Sequence, residues 1–327
     1  MNQFWKEVSL AGVMGIVIPG ILMGAAVSLM DKEPEVLPTE PAPVVQETQA
    51  LAEPDPIMIP VLGSDGEIIR MELNGYLTGV VLAEMPASFE TEALKAQAVV
   101  ARTYAIRAWE RGRKHEDAAV CMNPACCQGY TSEEQYMARG GTAENVEKIR
   151  NAVNATGTDV LTYDGELIEA TYFSCSGGST EDAVAVWGTD VPYLQAVESP
   201  GEEGAVYYSD TVTYKAENFA VALGMKLTGD PANWLGAVEY TDGGGVASMV
   251  IGGVTFKGTT LRSALGLRST AFTIETSGNI ITITTRGYGH RVGMSQYGAD
   301  AMAVSGSTCA EILTYYYQGT ELRSWID

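Results

Sequence analysis

The N-terminal part of the chain contains an apolar run without a charged residue, over residues 9–30. A helix of this length spans about 33 Å at a rise of about 1.5 Å per residue, which matches the thickness of the bilayer core. The alternative is a cleaved signal peptide with small residues at 24–26. The apolar core of a signal peptide is shorter, however, at about 7–15 residues. The pattern therefore predicts a transmembrane anchor.

Charged residues on either side of this run predict its orientation. Lys6 precedes it, whereas Asp31, Glu33 and Glu35 follow it. Because positive charge tends to remain on the cytoplasmic side, we expect residues 1–8 in the cytoplasm and the rest of the chain outside it. The sequence thus predicts a single-pass membrane protein with an extracytoplasmic main domain.

Residues 31–56 are rich in proline and acidic side chains and contain no glycine. Such a segment cannot bury a core, and repulsion between its charges keeps it extended. We therefore interpret it as a linker that holds a folded domain, residues 57–327, away from the membrane.

From residue 57 onwards, apolar positions alternate in short runs or recur at helical spacing in longer ones. Strands are predicted at 58–62 and 68–73 around an Asp-Gly turn, and helices at about 73–84 and 90–111. Further hairpins turn at residues 164–165, 252–253 and 278–279, the first with a second strand over 166–173. Two helices, at about 295–304 and 309–317, close the chain. This order is typical of the α+β class with antiparallel hairpins.

Composition and charge exclude several functions. The chain has 20 Lys+Arg against 41 Asp+Glu, a net charge of −21, which argues against binding to nucleic acid. Only two histidines are present, His115 and His290, so chemistry that needs several imidazoles is excluded. Five cysteines are an odd number, so disulfides within one chain cannot pair them all.

Glu84 is the most suggestive carboxyl group, because it ends a predicted apolar helix just before Met85 and Pro86. The negative end of the helix dipole and partial burial by apolar neighbours both disfavour the charged carboxylate. A carboxyl group that keeps its proton near neutral pH can act as a general acid. The alternative is a solvated glutamate at a helix end, which is common.

A possible metal-binding loop contains one histidine and three cysteines, namely His115, Cys121, Cys126 and Cys127. Three thiolates and one imidazole suit Zn²⁺ and close a tetrahedron without an open position, as in structural zinc sites. The alternative is a disulfide between Cys121 and Cys126 or Cys127, which an extracytoplasmic location would permit. The spacing alone does not decide between the two.

Two glycine-rich stretches hold further candidates. Residues 171–180, TYFSCSGGST, can line a polar groove for a sugar, present Cys175 as a nucleophile, or be an ordinary loop. Residues 287–299, GYGHRVGMSQYGA, lead into a helix at Ser295 and contain His290. Glycines there allow a ligand to approach backbone amides, although a lone histidine is commonly structural.

Three of these strings together resemble one family. Residues 73–105, LNGYLTGVVLAEMPASFETEALKAQAVVARTYA, the TYFSCSGGST turn and residues 289–303, GHRVGMSQYGADAMA, are similar to the stage II sporulation protein D family. Its members are membrane-anchored lytic transglycosylases of endospore-forming bacteria. The resemblance implies one large two-lobed domain with a glycan-binding groove.

The resemblance also implies roles for single residues. Glu84 is expected to be the catalytic acid and base, and Arg102 to orient it or to stabilise developing charge. It implies a structural zinc site at the cysteine loop, although Cys126 stands where the family has a histidine. Arg291 stands where a small glycine is common. We expect it to contact carboxylate or amide groups of the glycan, and the alternative is that it narrows the groove. The expected glycan-binding residues are Tyr172, Ser174, Ser176, Gly177, His290, Ser295, Gln296 and Tyr297.

The implied reaction cleaves the bond between N-acetylmuramic acid and N-acetylglucosamine in peptide-stripped glycan strands, leaving a 1,6-anhydro product. The implied setting is septal peptidoglycan remodelling and forespore engulfment, from the mother-cell membrane into the space between the two membranes. The implied partners are an amidase, stage II sporulation protein P, and a membrane scaffold, protein M. The alternatives are a non-catalytic amidase enhancer and a peptidase that uses Cys175 and His290.

Overall fold

The computed structural model describes residues 56–111 and 114–326. The predicted anchor and the predicted linker, apart from Pro56, lie outside the described residues. Within the described part of the chain, no helix is both long enough and apolar enough to cross a membrane.

The described chain alternates irregularly between short strands and helices. The helices are α1 (Leu73–Glu84), α2 (Thr91–Arg111), α3 (Glu133–Ala138), α4 (Ala143–Ala155), α5 (Ala183–Trp187), α6 (Ala216–Ala222), α7 (Gly258–Ala264), α8 (Gln296–Val304) and α9 (Cys309–Tyr316). The strands are β1 (Met58–Leu62), β2 (Ile68–Glu72), β3 (Val120–Cys121), β4 (Asp159–Tyr163), β5 (Glu166–Leu167), β6 (Tyr172–Phe173), β7 (Ser209–Lys215), β8 (Leu235–Tyr240), β9 (Val246–Ile251), β10 (Val254–Lys257), β11 (Phe272–Ser277), β12 (Ile280–Arg286), β13 (Met294–Ser295) and β14 (Glu321–Ser324).

The strands form several small sheets. Their orders are β2-β1-β3, β14-β4-β5, β13-β6, β11-β12-β7 and β10-β9-β8. Most neighbours pair antiparallel, but β1 pairs with β3, and β13 with β6, in parallel. The α+β class is therefore confirmed, with two short parallel pairings that the hairpin pattern did not predict.

The α2 helix is the centre of the larger core. It packs against α1, α4, α8, α9 and β4. Its alanines at 93, 96, 98, 101 and 105 are fully buried, and such small side chains let neighbouring elements approach closely. The helix begins and ends within one residue of the predicted bounds, and α1 ends at Glu84 as the Met-Pro pair predicted.

A second cluster of buried apolar side chains lies between residues 212 and 283. It is built by β7 to β12 with α6 and α7, and contains Phe219, Ile251, Leu261 and Ile281. The buried side chains of the larger core form a separate cluster. The described chain thus has two separate clusters of buried apolar side chains.

Most predicted hairpins are confirmed, with one exception. The β1–β2, β9–β10 and β11–β12 pairs have the expected turns, and α9 begins with the predicted capping box of Thr308 and Glu311. The predicted strand over residues 166–173 is wrong, because β5 ends at Leu167. The chain then leaves the hairpin, and β6 pairs with β13 instead.

Candidate functional site

A cavity of about 440 Å³ lies where α1, the loop after β3, β6 and the loop after β12 meet. Five sequence-predicted residues come together in it, namely Glu84, Cys127, Tyr172, Ser174 and His290. Its lining consists of Glu84, Tyr104, Pro124, Cys127, Gln128, Ala170, Thr171, Tyr172, Phe173, Ser174, Tyr288, Gly289 and His290.

Glu84 is the only carboxylate among the described residues that line this cavity. Its Oε1 accepts a hydrogen bond from the backbone N–H of Gly129, at 2.9 Å. Gly129 belongs to the loop after β3, and this loop can approach α1 closely because residue 79 of α1 is a glycine. A Cβ atom at position 79 would lie 2.2 Å from the ring of Tyr130, whereas the glycine lets Thr131 donate to its carbonyl at 3.0 Å. One oxygen of the acid is therefore held by the backbone of the loop after β3.

Tyr172 and Gln128 form the polar wall next to Glu84. The Gln128 side chain donates to the Tyr172 hydroxyl at 3.5 Å and accepts from the Tyr76 hydroxyl at 3.3 Å. Burial, and then the nearby Glu84 carboxylate, raise the pKa of Tyr172 well above its usual value. Tyr172 therefore stays protonated at all relevant pH values and remains a hydrogen-bond donor.

His290 also lines the cavity, as a neutral imidazole. Its Nδ1 accepts from the backbone N–H of Val292 at 3.1 Å, and its ring lies between Phe173 and Trp187, at centroid distances of 5.7 and 5.4 Å. Burial, and then the charge of Arg262, lower its pKa to about 4. At neutral pH His290 therefore fixes the shape of the loop and carries no charge.

The predicted metal ligands come together next to the cavity. The ligand atoms of His115, Cys121, Cys126 and Cys127 all lie within 4.8 Å of one another. His115 Nε2 is 3.4 Å from Cys127 Sγ and 3.7 Å from Cys126 Sγ, and the two sulfurs are 4.0 Å apart. A tetrahedral zinc site has such edges, about 3.5–3.8 Å. The cysteines are free thiols, so the disulfide alternative is not found here.

Ser176 and Gly177 do not line the cavity, contrary to expectation. Ser176 is fully buried, and its N–H and hydroxyl both donate to the carboxylate of Glu202, at 2.7 and 2.9 Å. The Gly177 N–H donates to the same group at 3.2 Å. These residues hold the turn in place and do not present it to a ligand.

Cys175 is not placed to act as a nucleophile. Its Sγ donates to Glu202 at 3.0 Å, and burial together with that carboxylate raises its pKa far above the usual value. A nucleophilic cysteine needs the opposite environment, one that favours the thiolate. The peptidase alternative therefore has no support in the structure.

Ser295, Gln296 and Tyr297 also lie outside the cavity lining. Ser295 is fully buried and caps α8 by accepting from the Gly298 N–H at 3.2 Å. Gln296 is buried and donates to Gln97 at 3.4 Å. Tyr297 is partly exposed and packs edge-on against Phe89, at a centroid distance of 5.0 Å. Of the three, only Tyr297 reaches the surface.

Arg102 lies far from Glu84, which contradicts the expectation that it orients the acid. The guanidinium is fully buried and donates to Asn74 Oδ1, at 3.2 Å, and to Thr156 Oγ1, at 2.9 Å. Asn74 is in the first turn of α1 and Glu84 is its last residue. At about 1.5 Å per residue, they are separated by roughly 15 Å. Arg102 instead joins α1 to the end of α4.

Arg291 is buried and does not reach the cavity. It adopts a left-handed backbone, with φ of 66°, and pairs with the buried Glu181 at 3.1 Å. It also donates to the carbonyl oxygens of Ser176, Ser179 and Gly243. The expected contact with a glycan is therefore wrong, because every group around this cation belongs to the protein.

Several residues of the site were not predicted. Tyr104 and Gln128 line the cavity, and the Gly129 N–H binds the acid. Gln128 and Gly129 directly follow the cysteine pair, so proximity to a predicted metal loop was the available signal. Tyr104 is within a long helix, where no local pattern separates it from core residues.

Comparisons with known proteins give a consistent assignment. A family model described as stage II sporulation protein matches residues 63–163. The chain is 38% identical to stage II sporulation protein D of Bacillus subtilis (strain 168), over 98% of this chain and 96% of that protein. It is also 38% identical to the protein of that name from Bacillus amyloliquefaciens, over 95% and 92%. An amidase enhancer of Bacillus subtilis (strain 168) is 30% identical over 76% of this chain and 40% of its own length. The chain therefore belongs to the stage II sporulation protein D family.

Proposed function

We propose that this protein is a lytic transglycosylase that cleaves peptidoglycan glycan strands between N-acetylmuramic acid and N-acetylglucosamine. The observation that carries the proposal is the single carboxyl group in the cavity lining, Glu84. Hydrolytic glycosidases usually need two carboxyl groups on either side of the bond. A single one is sufficient if the substrate supplies its own nucleophile.

In the proposed reaction, protonated Glu84 donates its proton to the glycosidic oxygen, and the bond from that oxygen to C1 of the muramic acid breaks. The C6 hydroxyl of the same sugar forms a new bond to C1, and its proton returns to the Glu84 carboxylate. The products are a 1,6-anhydro sugar and a free N-acetylglucosamine hydroxyl, and no water is consumed. The Tyr172 hydroxyl can donate to the carboxylate form of Glu84.

A Glu84→Gln variant tests this role, because glutamine still accepts the Gly129 hydrogen bond but has no proton to transfer. We expect release of anhydro-muramyl products from peptide-free strands to fall at least 100-fold, the usual contribution of a general acid. Glu90→Gln, at an exposed position outside the cavity lining, is the matched control. Near-native product release by the Glu84→Gln variant would refute the assignment.

We further propose that His115, Cys121, Cys126 and Cys127 hold a structural Zn²⁺. Three thiols and an imidazole at tetrahedral spacing support this choice of metal. When bound, zinc would fix the loop and supply no chemistry to the reaction. Cys127, Gln128 and Gly129 then keep the wall beside Glu84 in place. Metal analysis of the purified protein is expected to give one zinc per chain, and substoichiometric metal with oxidised thiols would contradict it.

The cellular setting is also a proposal. Membership of the family supports a role in sporulation, and the apolar run at residues 9–30 supports attachment to the mother-cell membrane with the domain facing the space between the two membranes. The setting would be septal peptidoglycan remodelling during engulfment, with the amidase protein P and the scaffold protein M as partners. Co-purification of the full-length chain with either protein tests the partnership.

A second candidate function is that of a non-catalytic amidase enhancer, which the similarity to the Bacillus subtilis protein favours. Such a protein would bind glycan and stimulate a separate hydrolase. The two functions differ in their products. Anhydro-muramyl ends formed by the purified protein alone support the transglycosylase, and their absence together with faster amide release by an added amidase supports the enhancer.

A further inference from the structure

A buried hydroxyl group on α1 has a single hydrogen-bond partner among the described residues. The Tyr76 side chain is fully buried, and its hydroxyl donates to Oε1 of Gln128, which is buried as well, at 3.3 Å. A buried hydroxyl without an acceptor is costly, so the Tyr76 proton has to point at the acceptor atom of this amide. Tyr76 therefore determines which way round the Gln128 amide lies.

The orientation of this amide decides how the next hydroxyl is used. With Oε1 facing Tyr76, the amide nitrogen of Gln128 faces Tyr172 and donates to its hydroxyl oxygen at 3.5 Å. An amide nitrogen can only donate, and an amide oxygen can only accept. The Tyr172 proton therefore has no acceptor on Gln128 and is available to another group. If the amide were turned round, Oε1 would attract that proton instead.

Glu84 is the acceptor that lies next to the Tyr172 hydroxyl. Burial, and then the Glu84 carboxylate, raise the pKa of Tyr172, and the hydroxyl is also close enough to donate a hydrogen bond to that carboxylate. Glu84, Gln128 and Tyr172 line the cavity, whereas Tyr76 lies outside its lining. The four side chains thus form a hydrogen-bond series, Tyr76 to Gln128 to Tyr172 to Glu84, in which each group donates to the next.

We propose that Tyr76 and Gln128 are positioning residues that aim the Tyr172 proton at Glu84. In the proposed reaction, Glu84 becomes a carboxylate when its proton passes to the glycosidic oxygen. A donor that already points at the developing charge stabilises it without having to reorient. The effect on the rate rests on the proposed function, whereas the direction of the hydrogen bonds does not depend on it.

A Tyr76→Phe variant tests the effect on the rate, because it deletes only the hydroxyl and keeps the ring that stacks on Tyr130. The Gln128 amide is then free to turn, and the Tyr172 proton is divided between Gln128 and Glu84. We expect kcat for the release of anhydro-muramyl products to fall about three- to tenfold, the usual effect of one hydrogen bond, with KM unchanged. In a Tyr172→Phe background the same change should leave kcat as it is, because no proton remains to be aimed.

The matched control removes a tyrosine hydroxyl elsewhere in the protein. The Tyr214 hydroxyl donates to the carbonyl oxygen of Leu265 at 2.8 Å, and the ring packs against the second cluster of buried apolar side chains. Tyr214→Phe therefore deletes one hydrogen bond of a hydroxyl without changing the hydrogen-bond series. This variant should leave kcat and KM unchanged in both backgrounds.

A second measurement does not depend on turnover. In protein that carries ¹³C at the ζ-carbon of every tyrosine, the chemical shift of Tyr172 reports the hydrogen bonds of its hydroxyl, and Tyr172→Phe identifies its resonance. Tyr76→Phe should move this resonance, although the two hydroxyls bind opposite ends of the Gln128 amide. Tyr214→Phe should leave it in place.

The outcomes distinguish the inference from the proposed function. An equal fall in kcat after Tyr76→Phe with and without Tyr172→Phe would overturn the inference, because Tyr76 would then act through packing alone. A Tyr172 resonance that does not respond to Tyr76→Phe would also overturn it. If the wild-type protein releases no anhydro products but the Tyr172 resonance moves, the proposed reaction fails and the inferred direction of the hydrogen bonds stands.

Discussion

Single residues in this protein show that similarity to a motif does not by itself give a catalytic role. Arg102 and Arg291 lie within two of the most characteristic strings, yet both guanidinium groups are buried and donate only to the protein. The end of α1 at Glu84 could be predicted from the sequence, because the Met-Pro pair after it stops the helix. The role of Ser176 could not, because its partner, Glu202, is 26 residues away in a stretch without a periodic pattern.

Replacement of Arg102 by glutamine is expected to lower the free energy of unfolding by about 3 kcal/mol. The shorter side chain removes the donor from the buried Thr156 Oγ1 and from the partly buried Asn74 Oδ1. Arg107→Gln in the same helix should cost less than about 1 kcal/mol, because Arg107 forms a partly exposed pair with Glu169. Urea unfolding measures both. A loss of activity without a loss of stability would instead indicate a catalytic role for Arg102.

His290 is expected to make the protein less stable in mild acid. Its pKa is about 4 in the folded protein, whereas an unfolded histidine has a pKa of about 6.5. At pH values between about 4 and 6.5 the unfolded state binds more protons than the folded state. The contribution of neutral His290 to stability is therefore complete above pH 6.5 and is lost as the pH falls towards 4. The total loss is about 3 kcal/mol.

Urea unfolding at several pH values tests this effect in the wild type and in a His290→Asn variant, whose side-chain oxygen can still accept from Val292. His115 is common to both proteins, so the difference between their pH profiles isolates His290. The two stability curves should converge by roughly 3 kcal/mol as the pH falls from 6.5 to 4. Parallel curves would show that His290 titrates normally.

At the scale of elements, long periodic segments were predictable and short pairings were not. The bounds of α2 follow from many apolar positions, whereas β6 and β13 have two residues each and no period to detect. Their pairing joins residues 172–173 to 294–295 and depends on tertiary contacts alone. The α4 helix, by contrast, carries apolar residues at 146, 149 and 153, a helical spacing that would have revealed it.

The β6–β13 pairing is expected to be sensitive to one glycine. At Gly293 φ is 81°, and a Cβ atom there would lie 2.2 Å from the carbonyl oxygen of Thr171. Gly293→Ala should therefore cost about 3 kcal/mol or more and reduce product release, because β6 carries Tyr172.

The control is Gly278→Ala, in the β11–β12 turn. Its φ is 55°, and no atom lies within 4 Å of the position that an added Cβ would take, so the cost should be near 1 kcal/mol. Thermal unfolding and the product assay on both variants give the comparison. Equal losses of stability would show that the clash with Thr171 is relieved by a shift of the backbone.

At the scale of the molecule, the cavity and both cores lie within residues 56–326. The predicted boundary at residue 57 stays a prediction, as do the anchor and the linker. We expect the chain from residue 57 onwards, expressed alone, to fold and to release anhydro products from soluble strands at a rate within about twofold of the full-length chain. Circular dichroism and the product assay measure this. An unfolded or inactive fragment would place part of the domain before residue 57.

The wall of the cavity draws on segments that are far apart in the chain. Glu84, Gln128, Tyr172 and Gly289 come from four separate regions, and the Tyr317 hydroxyl, near the C-terminus, donates to the Thr171 carbonyl beside β6 at 2.6 Å. A growing chain contains the proposed acid long before it contains Tyr172, Gly289 and Tyr317. A chain that is cut before its last helix lacks the contact between Tyr317 and Thr171, and we expect it to release no anhydro products.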